Sequence, residues 1–475
     1  MLKLYNTLGR ELQDFKPIHK VEVKLYTCGP TVYDYPHIGN LRAFVFEDTL
    51  RRVLEASDYQ VQHVMNITDV GHLVSDEDEG EDKLEKGAER EGQTVWEVAE
   101  HYTDAFLADA KALNILPPNG YTGKRDGYAR ATDFIKQQIE LVKLLVKRGF
   151  AYQTRQAIYF DVTKLKDYGK LSGQNLGQKE VGAREDVVTD SDKKSPQDFA
   201  VWFFAVGRFA DHTMRWDSPW GDGFPGWHLE CSAIIHATLG EPIDIHTGGV
   251  DHIGTHHTNE MAQTEAAYGH QLANYWLHNE FLQVDDRKMS KSAGTFYTLK
   301  DIADKGFDPL ALRLLFLQSH YRSQMNFTWE ALEGAQNLLN KFYSWADLQF
   351  QNFKSKELTT NYSIAVGEVM TSLQNDLATP EALAFLNGMV NRVDELGVDS
   401  ISIKKYSKLV DDLFGLGLSG REDISQDQKE KIRRRDEARL NNDWAQSDTI
   451  RSELLTEGIE LNDSQNGTTW SRIKI

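Results

Sequence analysis

The sequence contains very little cysteine and no long apolar run. Its 475 residues include two cysteines, Cys28 and Cys231, which lie far apart and form no local C-x-x-C pair. This spacing argues against a compact zinc ribbon and fits a reducing compartment. No run approaches the roughly 20 apolar residues of a membrane span, and no early stretch has the form of a signal peptide. We therefore expect a cytoplasmic protein.

Basic residues are also scarce. The chain has 53 Lys and Arg against 72 Asp and Glu, a formal net charge of −19. Such a balance is unfavourable for general nucleic-acid binding, because phosphate contacts need cations. The charge is nevertheless uneven, with acidic residues concentrated in 75–82 and a basic island at 429–435. Charge runs are usually solvated faces, so the island alone does not establish RNA binding.

The order of apolar patterns predicts an α/β fold followed by helices. Residues 21–26 alternate apolar side chains with Glu22 and Lys24, which predicts a strand that ends at Gly29 and Pro30, and a helical run follows His37. A strand, a loop and a helix in this order open a doubly wound, Rossmann-type nucleotide fold. From about residue 306 onward the pattern is helical, with little strand signal.

We divide the chain into five predicted segments. The first half of a Rossmann-type catalytic domain, a connective insertion, the second half of that domain, a helical bundle and a small C-terminal module are assigned to residues 1–149, 150–217, 218–305, 306–419 and 420–475. The C-terminal module is expected to contain two helices and a short tail. Residues 420–423, with glycine and acidic side chains, are expected to be a linker.

Four residues from three distant regions could bind one metal ion. Cys28 and Cys231 offer thiolates, whereas His256 and Glu260 are four residues apart and share one face of a helix. These ligand types suit zinc, and their wide separation indicates a metal inside an assembled active site. The alternative is two inert buried thiols and a core histidine. His257 cannot reach the same metal from that helix, so we expect it to support the site or face a nucleotide.

Two short motifs carry a family resemblance. Pro36-His-Ile-Gly-Asn40 follows the first strand, and Arg287-Lys-Met-Ser-Lys-Ser292 lies far downstream. In this order they resemble the signature motifs of class I aminoacyl-tRNA synthetases. Further segments resemble the cysteinyl-tRNA synthetases over nearly the whole chain, namely residues 26–34, 66–69, 216–221, 226–232 and 256–260.

The resemblance implies roles for individual residues. It implies one Zn²⁺ on the four ligands above and Mg²⁺ with ATP. Catalytic roles fall to His37, Asn40, Lys288 and Lys291, and ATP contacts fall to His37, Asn40, Asp251 and Lys291. The residues implied around the substrate cysteine are Thr31, Thr68 and Trp227. The residues implied to read the tRNA anticodon are Arg439, Trp444, Asp448 and Asp463.

The chain departs from the family pattern at a few positions. Asn40 stands where histidine is common, and an amide can donate to a phosphate but carries no charge, so we expect activity with a changed pH response. Thr247 replaces a glycine of the nucleotide loop, and Gly254 and Thr255 replace an aromatic residue and a proline. Residues 71–81 look like an acidic insertion to which we assign no function.

The resemblance implies a cysteine ligase that acts on tRNA. It would convert L-cysteine and ATP to cysteinyl-adenylate and transfer the cysteinyl group to the terminal ribose of tRNA(Cys). A zinc ion with an open position would favour a thiolate over a serine hydroxyl. One alternative is a ligase with a small amine acceptor, which would lack the anticodon module. A second is a non-catalytic RNA-binding paralogue, against which the intact motif lysines and metal ligands argue. We expect a monomer.

Overall fold

The computed structural model describes residues 1–71, 73, 82–123, 127–173, 190–289, 294–351, 361–393, 399–464 and 467–473. The chain divides into two compact units. The N-terminal unit comprises Met1–Ile302 and Tyr321–Phe327, and the C-terminal unit comprises Ala303–His320 and Thr328–Ile475. Among the residues described here, no helix combines the length and the apolar character that crossing a membrane requires.

Short strands run through both units. In chain order they are β1 (Lys3–Asn6), β2 (Glu11–Asp14), β3 (Glu22–Thr27), β4 (Gln60–Ile67), β5 (Ala129–Arg130), β6 (Ala151–Gln153), β7 (Ala157–Phe160), β8 (Phe199–Phe204), β9 (Gly223–Pro225), β10 (Ile243–Gly249), β11 (Ala273–Asn279), β12 (Leu282–Val284), β13 (Arg287–Lys288), β14 (Met325–Phe327), β15 (Ile459–Ser464) and β16 (Gly467–Arg472).

Helices surround the strands and dominate the C-terminal unit. In chain order they are α1 (Ile38–Ala56), α2 (Lys83–Glu91), α3 (Val95–Ala112), α4 (Ile135–Lys147), α5 (Trp227–Thr238), α6 (His256–Tyr268), α7 (Leu299–Asp304), α8 (Pro309–Leu317), α9 (Trp329–Asp347), α10 (Asn361–Leu373), α11 (Thr379–Asn391), α12 (Ser400–Phe414), α13 (Gln426–Leu440) and α14 (Trp444–Thr456).

The centre of the N-terminal unit is a five-stranded parallel sheet in the order β11-β10-β3-β4-β5. β3 and β10 are neighbours in this sheet, with Leu25 opposite Ile245 and Thr27 opposite Thr247. The strand order reverses between them, and doubly wound folds bind ligands in the crevice at such a reversal. The predicted α/β fold with a Rossmann-type sheet and a helical region is confirmed.

A four-stranded antiparallel sheet, β6-β7-β8-β9, lies between the two halves of the parallel sheet in the chain. Its apolar core includes Phe160, Val201 and Trp202, all fully buried. The predicted end of the insertion at residue 217 precedes β9, which is the last strand of this sheet. The division into five segments remains a prediction.

Within the C-terminal unit, the buried carboxylate of Asp347 connects the helices to the C-terminal module. The carboxylate of Asp347 is fully buried and accepts from Arg421 at 2.7 and 2.6 Å and from Arg472 at 2.7 Å. The side chain of Gln351 exchanges hydrogen bonds of 2.9 Å with the backbone of Trp470. Arg421 lies in the segment expected to be a linker, and that segment is therefore packed. The expected tail is the antiparallel hairpin β15-β16.

Candidate active site

The site begins where β3 ends. The backbone N–H of Cys28 donates to the carbonyl oxygen of Thr247 at 3.2 Å, which holds the residue after β3 against β10. Gly29 follows in a tight approach to β4, because a Cβ atom there would lie 1.8 Å from the carbonyl oxygen of Asn66. These local contacts place Cys28 at the ligand-binding edge of the sheet.

Two helices bring the other candidate metal ligands to Cys28. Cys231 lies on α5, and His256 and Glu260 lie on α6. One ligand atom from each of the four residues lies within 4.8 Å of the others, and all four are buried. His256 Nε2 is 2.6 Å from Glu260 Oε1 and 3.5 Å from Cys231 Sγ. The structure thus brings together the four residues that the sequence analysis selected.

A second group of possible ligands overlaps the first. Cys28 and Glu260 also lie within 4.8 Å of His246 and His257. His246 Nε2 is 2.6 Å from Glu260 Oε2, and His257 Nε2 is 3.4 Å from Cys28 Sγ. The sequence analysis missed His246, although a histidine in the middle of the buried strand β10 is a signal that could have revealed it. His256 and His257 belong to different groups, as expected for adjacent helical residues.

The electrostatics of this cluster fit a divalent cation. Burial raises the pKa of the Cys28 thiol well above its usual value. Burial acts in the same direction on Cys231, but hydrogen bonding to Cys28 and the nearby His256 lower its pKa overall, to about 6. For Glu260, burial is outweighed by His256 and His246, so the pKa of its carboxyl falls well below the usual range. Buried sulfur, imidazole and carboxylate donors are the ligands that Zn²⁺ takes.

Neighbouring aromatic side chains fix the ring of His256. Its Nδ1 lies 3.0 Å from His228 Nδ1, which leaves Nε2 toward Cys231 and Glu260. The half-buried indole of Trp227 stacks on the same ring, with centroids 4.2 Å apart and planes 22° apart. A partner on the second ring nitrogen orients an imidazole whose first nitrogen binds a metal. Trp227 therefore lies beside the cluster, and its place at the substrate stays a prediction.

The two threonine candidates lie side by side. Thr31 and Thr68 form an isolated parallel bridge between the loops that follow β3 and β4. The hydroxyl of Thr68 accepts from Asn66 Nδ2 at 3.1 Å and donates to Oε1 of Glu230. Glu230 is fully buried and precedes Cys231 on α5. The sequence analysis missed Glu230, because the local pattern of α5 gives no indication of its partner.

The first motif forms a helix cap. His37 Nδ1 accepts from the backbone N–H groups of Gly39 and Asn40, each at 3.1 Å. Asn40 Oδ1 accepts in return from the N–H of His37, also at 3.1 Å. Because Nδ1 accepts, the ring is neutral with its proton on Nε2. Burial lowers the pKa of His37, which favours this neutral form.

The second motif lies against the first. Lys291 is outside the described residues, and of Lys288 only the backbone in β13 is described. A Cβ atom at Gly39 would lie 2.4 Å from Met289 Cε, so glycine permits the contact between the motifs. After the second motif, the carbonyl oxygen of Tyr297 accepts from the N–H of Ile38 at 2.9 Å. The described residues on both sides of Lys291 therefore contact the His37 motif.

The residues predicted to form a glycine-rich nucleotide loop lie largely in β10, which includes Thr247, Gly248 and Gly249 and ends there. Asp251 is exposed in a single helical turn, Val250–Gly254, directly after that strand. The hydroxyl of Thr247, which stands in place of the family's glycine, donates to Glu47 Oε1 at 2.9 Å. Burial raises the pKa of Glu47 well above its usual value. The threonine is thus accommodated by a buried carboxyl on α1.

The anticodon candidates lie in the C-terminal unit, around α13 and α14. Trp444 is 55% exposed, and the guanidinium of Arg439 lies 5.8 Å from its ring centroid. Asp448 is exposed on α14. Asp463 differs, because its carboxylate accepts from Arg435 at 2.5 Å and from Arg439 at 2.7 Å. Its acceptor oxygens already have protein partners.

Comparison with known proteins assigns the family. The family model for the class I (C) tRNA synthetase catalytic domain matches residues 14–337. The cysteine--tRNA ligase of Treponema denticola is 42% identical and aligns over 99% of this chain and 100% of its own length. Cysteine--tRNA ligase 1 of Burkholderia lata is 44% identical over 98% of this chain and 96% of its own. The chain belongs to the cysteine--tRNA ligase family.

Solved structures agree with this family at the level of the fold. A Mycobacterium tuberculosis methionyl-tRNA synthetase in complex with methionyl-adenylate is 14% identical, covers 84% of this chain and 93% of its own, and has a TM-score of 0.59. An Agrobacterium radiobacter LeuRS in a ternary complex with tRNA and LeuAMS is 12% identical, with a TM-score of 0.59 and coverage of 86% and 87%. The family resemblance inferred from the motifs is confirmed by the family model and the full-length relatives, whereas these structures show the fold alone.

Proposed function

We infer that the protein is an ATP-dependent ligase that attaches L-cysteine to tRNA(Cys). The observation that carries this inference is the full-length similarity to cysteine--tRNA ligases. In the first step the cysteine carboxylate attacks the α-phosphorus of ATP and pyrophosphate leaves. In the second step a hydroxyl of the terminal ribose attacks the acyl carbon and AMP leaves.

We propose that Zn²⁺ is held by Cys28, Cys231, His256 and Glu260. Their proximity and burial support this assignment, and two thiol ligands favour zinc over magnesium or calcium. A bound zinc would supply a Lewis acid that prefers the substrate's thiolate to a hydroxyl. Trp227, stacked on His256, would form one wall of the cysteine pocket.

We propose that ATP binds at the contact between the two motifs. The N-terminus of α1 presents the positive end of its helix dipole to a phosphate, and His37 and Asn40 lie there. Lys288 and Lys291 would neutralise the charge that develops as pyrophosphate leaves, together with Mg²⁺. Asp251 would accept hydrogen bonds from the ribose.

We propose that the C-terminal unit reads the anticodon. The exposed indole of Trp444 offers a stacking surface, Arg439 lies near it, and Asp448 offers a carboxylate to a base edge. Asp463, bound by two arginines, would act on a base by orienting Arg439. The cytoplasmic location and the monomeric state remain predictions.

The function is tested by cysteine-dependent ATP–pyrophosphate exchange and by charging of tRNA(Cys). Both activities are expected, and both should be lost after zinc chelation. Metal analysis of Cys231→Ala should show loss of stoichiometric zinc together with loss of exchange. Exchange without tRNA charging, combined with ligation to a small amine, would favour the alternative ligase. Zinc-free protein with full exchange would contradict the metal assignment.

A further inference from the structure

The three-stranded sheet β13-β12-β14 carries the start of the second motif. β13 consists of Arg287 and Lys288 and pairs antiparallel with β12, which in turn pairs parallel with β14. The turn between β12 and β13 is held from β14, because Asn326 exchanges two hydrogen bonds of 2.9 Å with Asp286. The three strands are therefore held together around the chain that leads into Met289.

One arginine of α1 connects this sheet to the helix of the first motif. Arg42 is buried, and its Nη1 donates to the carbonyl oxygens of Glu280 and Phe281 at 2.8 and 2.9 Å. Its Nη2 donates to the carbonyl oxygen of Ser323 at 2.7 Å. These carbonyls precede β12 and β14, and that of Phe281 also accepts from the N–H of Met325 in β14 at 3.2 Å. Arg42 therefore joins α1 to both strands near their first residues.

The start of α1 holds the segment that follows the second motif. The N–H of Ile38 donates to the carbonyl oxygen of Tyr297 at 2.9 Å, and His37 forms an isolated antiparallel bridge with Thr298. Arg42 and the first residues of α1 thus hold the chain on both sides of the second motif.

The hydrogen bonds of Arg42 are charge-assisted. Burial lowers the pKa of its guanidinium to about 10, so the group still carries its charge at neutral pH. A charged donor makes stronger hydrogen bonds to buried carbonyls than a neutral donor does. Its planar fork also fixes the directions of several acceptors at once, which an ammonium group does not. One side chain therefore fixes three backbone carbonyls relative to α1.

We propose that Arg42 is a positioning residue for adenylate formation, and that it fixes the second motif relative to His37 and Asn40. This role rests on the proposed cysteine-activating function. The lysines of the second motif would act where charge develops as pyrophosphate leaves, so a displaced motif would weaken the transition state more than the bound substrates. A misplacement of about 1 Å can cost about 100-fold in rate. Arg42 acts through the backbone and not on the reacting atoms.

The test variant is Arg42→Met, which keeps an unbranched side chain and removes every donor. The kcat of cysteine-dependent pyrophosphate exchange is expected to fall about 10- to 100-fold, whereas the KM values for ATP and cysteine should change less than about 3-fold. Arg42→Lys keeps the charge and some of the donors, so it should restore part of the lost kcat. Amide hydrogen–deuterium exchange over residues 279–289 should be faster in Arg42→Met, because the strands lose their connection to α1.

Arg52→Met is the matched control, because Arg52 is a second buried arginine of α1 that binds elsewhere. Its guanidinium donates to Asp48 and to the carbonyl oxygen of Asn114, both at 2.7 Å. This variant should lower the melting temperature but leave kcat and the amide exchange over residues 279–289 unchanged. An equal loss of kcat in both variants, measured where both are folded, would overturn the proposal and indicate a general structural role. Unchanged kcat in folded Arg42→Met would also overturn it.

Asn326→Ala keeps the test decisive if Arg42→Met does not fold. It removes the two exposed hydrogen bonds that hold the turn between β12 and β13. Its kcat is expected to fall about 3- to 10-fold with little change in KM. Unchanged kcat in both Asn326→Ala and Arg42→Lys would overturn the proposal.

Failure of the proposed function gives a different result. If the unaltered protein shows no cysteine-dependent pyrophosphate exchange, that function is wrong. The amide exchange over residues 279–289 still tests the connection in that case, and equal rates in the Arg42 and Arg52 variants would overturn it.

Discussion

The two oxygens of Glu260 face different histidines, and this division separates two possible metal sites. Oε1 lies 2.6 Å from His256, whereas Oε2 lies 2.6 Å from His246. Only the set with His256 contains both cysteines. Two thiolates bind zinc more strongly than one, so we expect His256 to be the ligand and His246 to orient Glu260.

This division predicts unequal effects of two substitutions. His256→Gln should abolish stoichiometric zinc, whereas His246→Gln should retain zinc with affinity reduced about 10- to 100-fold. Metal analysis and chelator competition measure both effects. His236→Gln, at an exposed histidine on α5, is the control and should leave zinc binding unchanged. Zinc retained in His256→Gln and lost in His246→Gln would assign the second group instead.

A pH dependence is expected from the cap at His37. Burial lowers its folded-state pKa, so the neutral cap is stable above the unfolded value of about 6.5 and is lost as pH falls through the lower folded value. His37→Asn keeps a capping side chain that does not titrate. Melting temperatures between pH 7.5 and 5 should therefore fall less in His37→Asn than in the unaltered protein. Parallel curves would contradict a titrating cap.

At the scale of elements, α13 shows that a basic run is not a basic surface. Four of the five cations in residues 429–435 form ion pairs: Lys429 with Asp423, Lys431 with Asp427 and Glu457, Arg433 with Glu430 and Glu437, and Arg435 with Asp436 and Asp463. Within the described residues, Arg434 has no such pair and is exposed. The island therefore has far less charge available for phosphate than its sequence indicates.

We predict that Arg434 is the phosphate contact of this helix. Arg434→Gln should weaken binding to tRNA(Cys) and reduce the slope of log affinity against log salt by about 1. Arg433→Gln is the matched control, at an adjacent arginine already paired with Glu430 and Glu437, and should change the slope less. Filter-binding titrations over a range of salt measure both. Equal changes would mean that the intramolecular pairs do not compete with RNA.

At the scale of the whole molecule, the C-terminal module is part of the structure of its unit. Arg421 and Arg472 neutralise the buried Asp347, and Phe350 packs against a core that includes Ile450. The sequence suggested that residues 420–475 are joined by a linker. The contacts within the C-terminal unit instead predict that removing the module damages the helices that remain.

Truncation after Ser419 should therefore destabilise the C-terminal unit. It leaves the carboxylate of Asp347 without Arg421 and Arg472, and an uncompensated buried charge costs about 3–5 kcal/mol. Calorimetry should show a lower melting temperature, partly restored by Asp347→Asn in the truncated chain. A truncated protein with unchanged melting would support a separable module. Asp448→Ala in the full chain is the better test of anticodon reading, because Asp448 is exposed.

The sequence by itself determined what local pattern and short motifs encode. The i, i+4 spacing placed His256 and Glu260 on one face of α6, and the strand, loop and helix around Cys28 specified the opening of the nucleotide fold. Those signals depend on neighbours within one helical turn or one strand, so they can be recognised in the sequence without knowledge of the fold. The candidate roles of Lys288 and Lys291 also came from the sequence and remain predictions.

Only the tertiary structure decided which distant side chains meet. Glu230 reaches Thr68 across 162 positions, and Glu47 reaches Thr247 across 200. Asp347 accepts a hydrogen bond from Arg421, 74 positions away in the sequence, and Asp463 accepts one from Arg435, 28 positions away. No periodicity links such residues, because their contacts form only after the chain has closed long loops and packed helices on the sheet. The sequence therefore identified the types of side chain in the site. The packing of the folded chain determined which charged side chains bind one another and which remain available to a ligand.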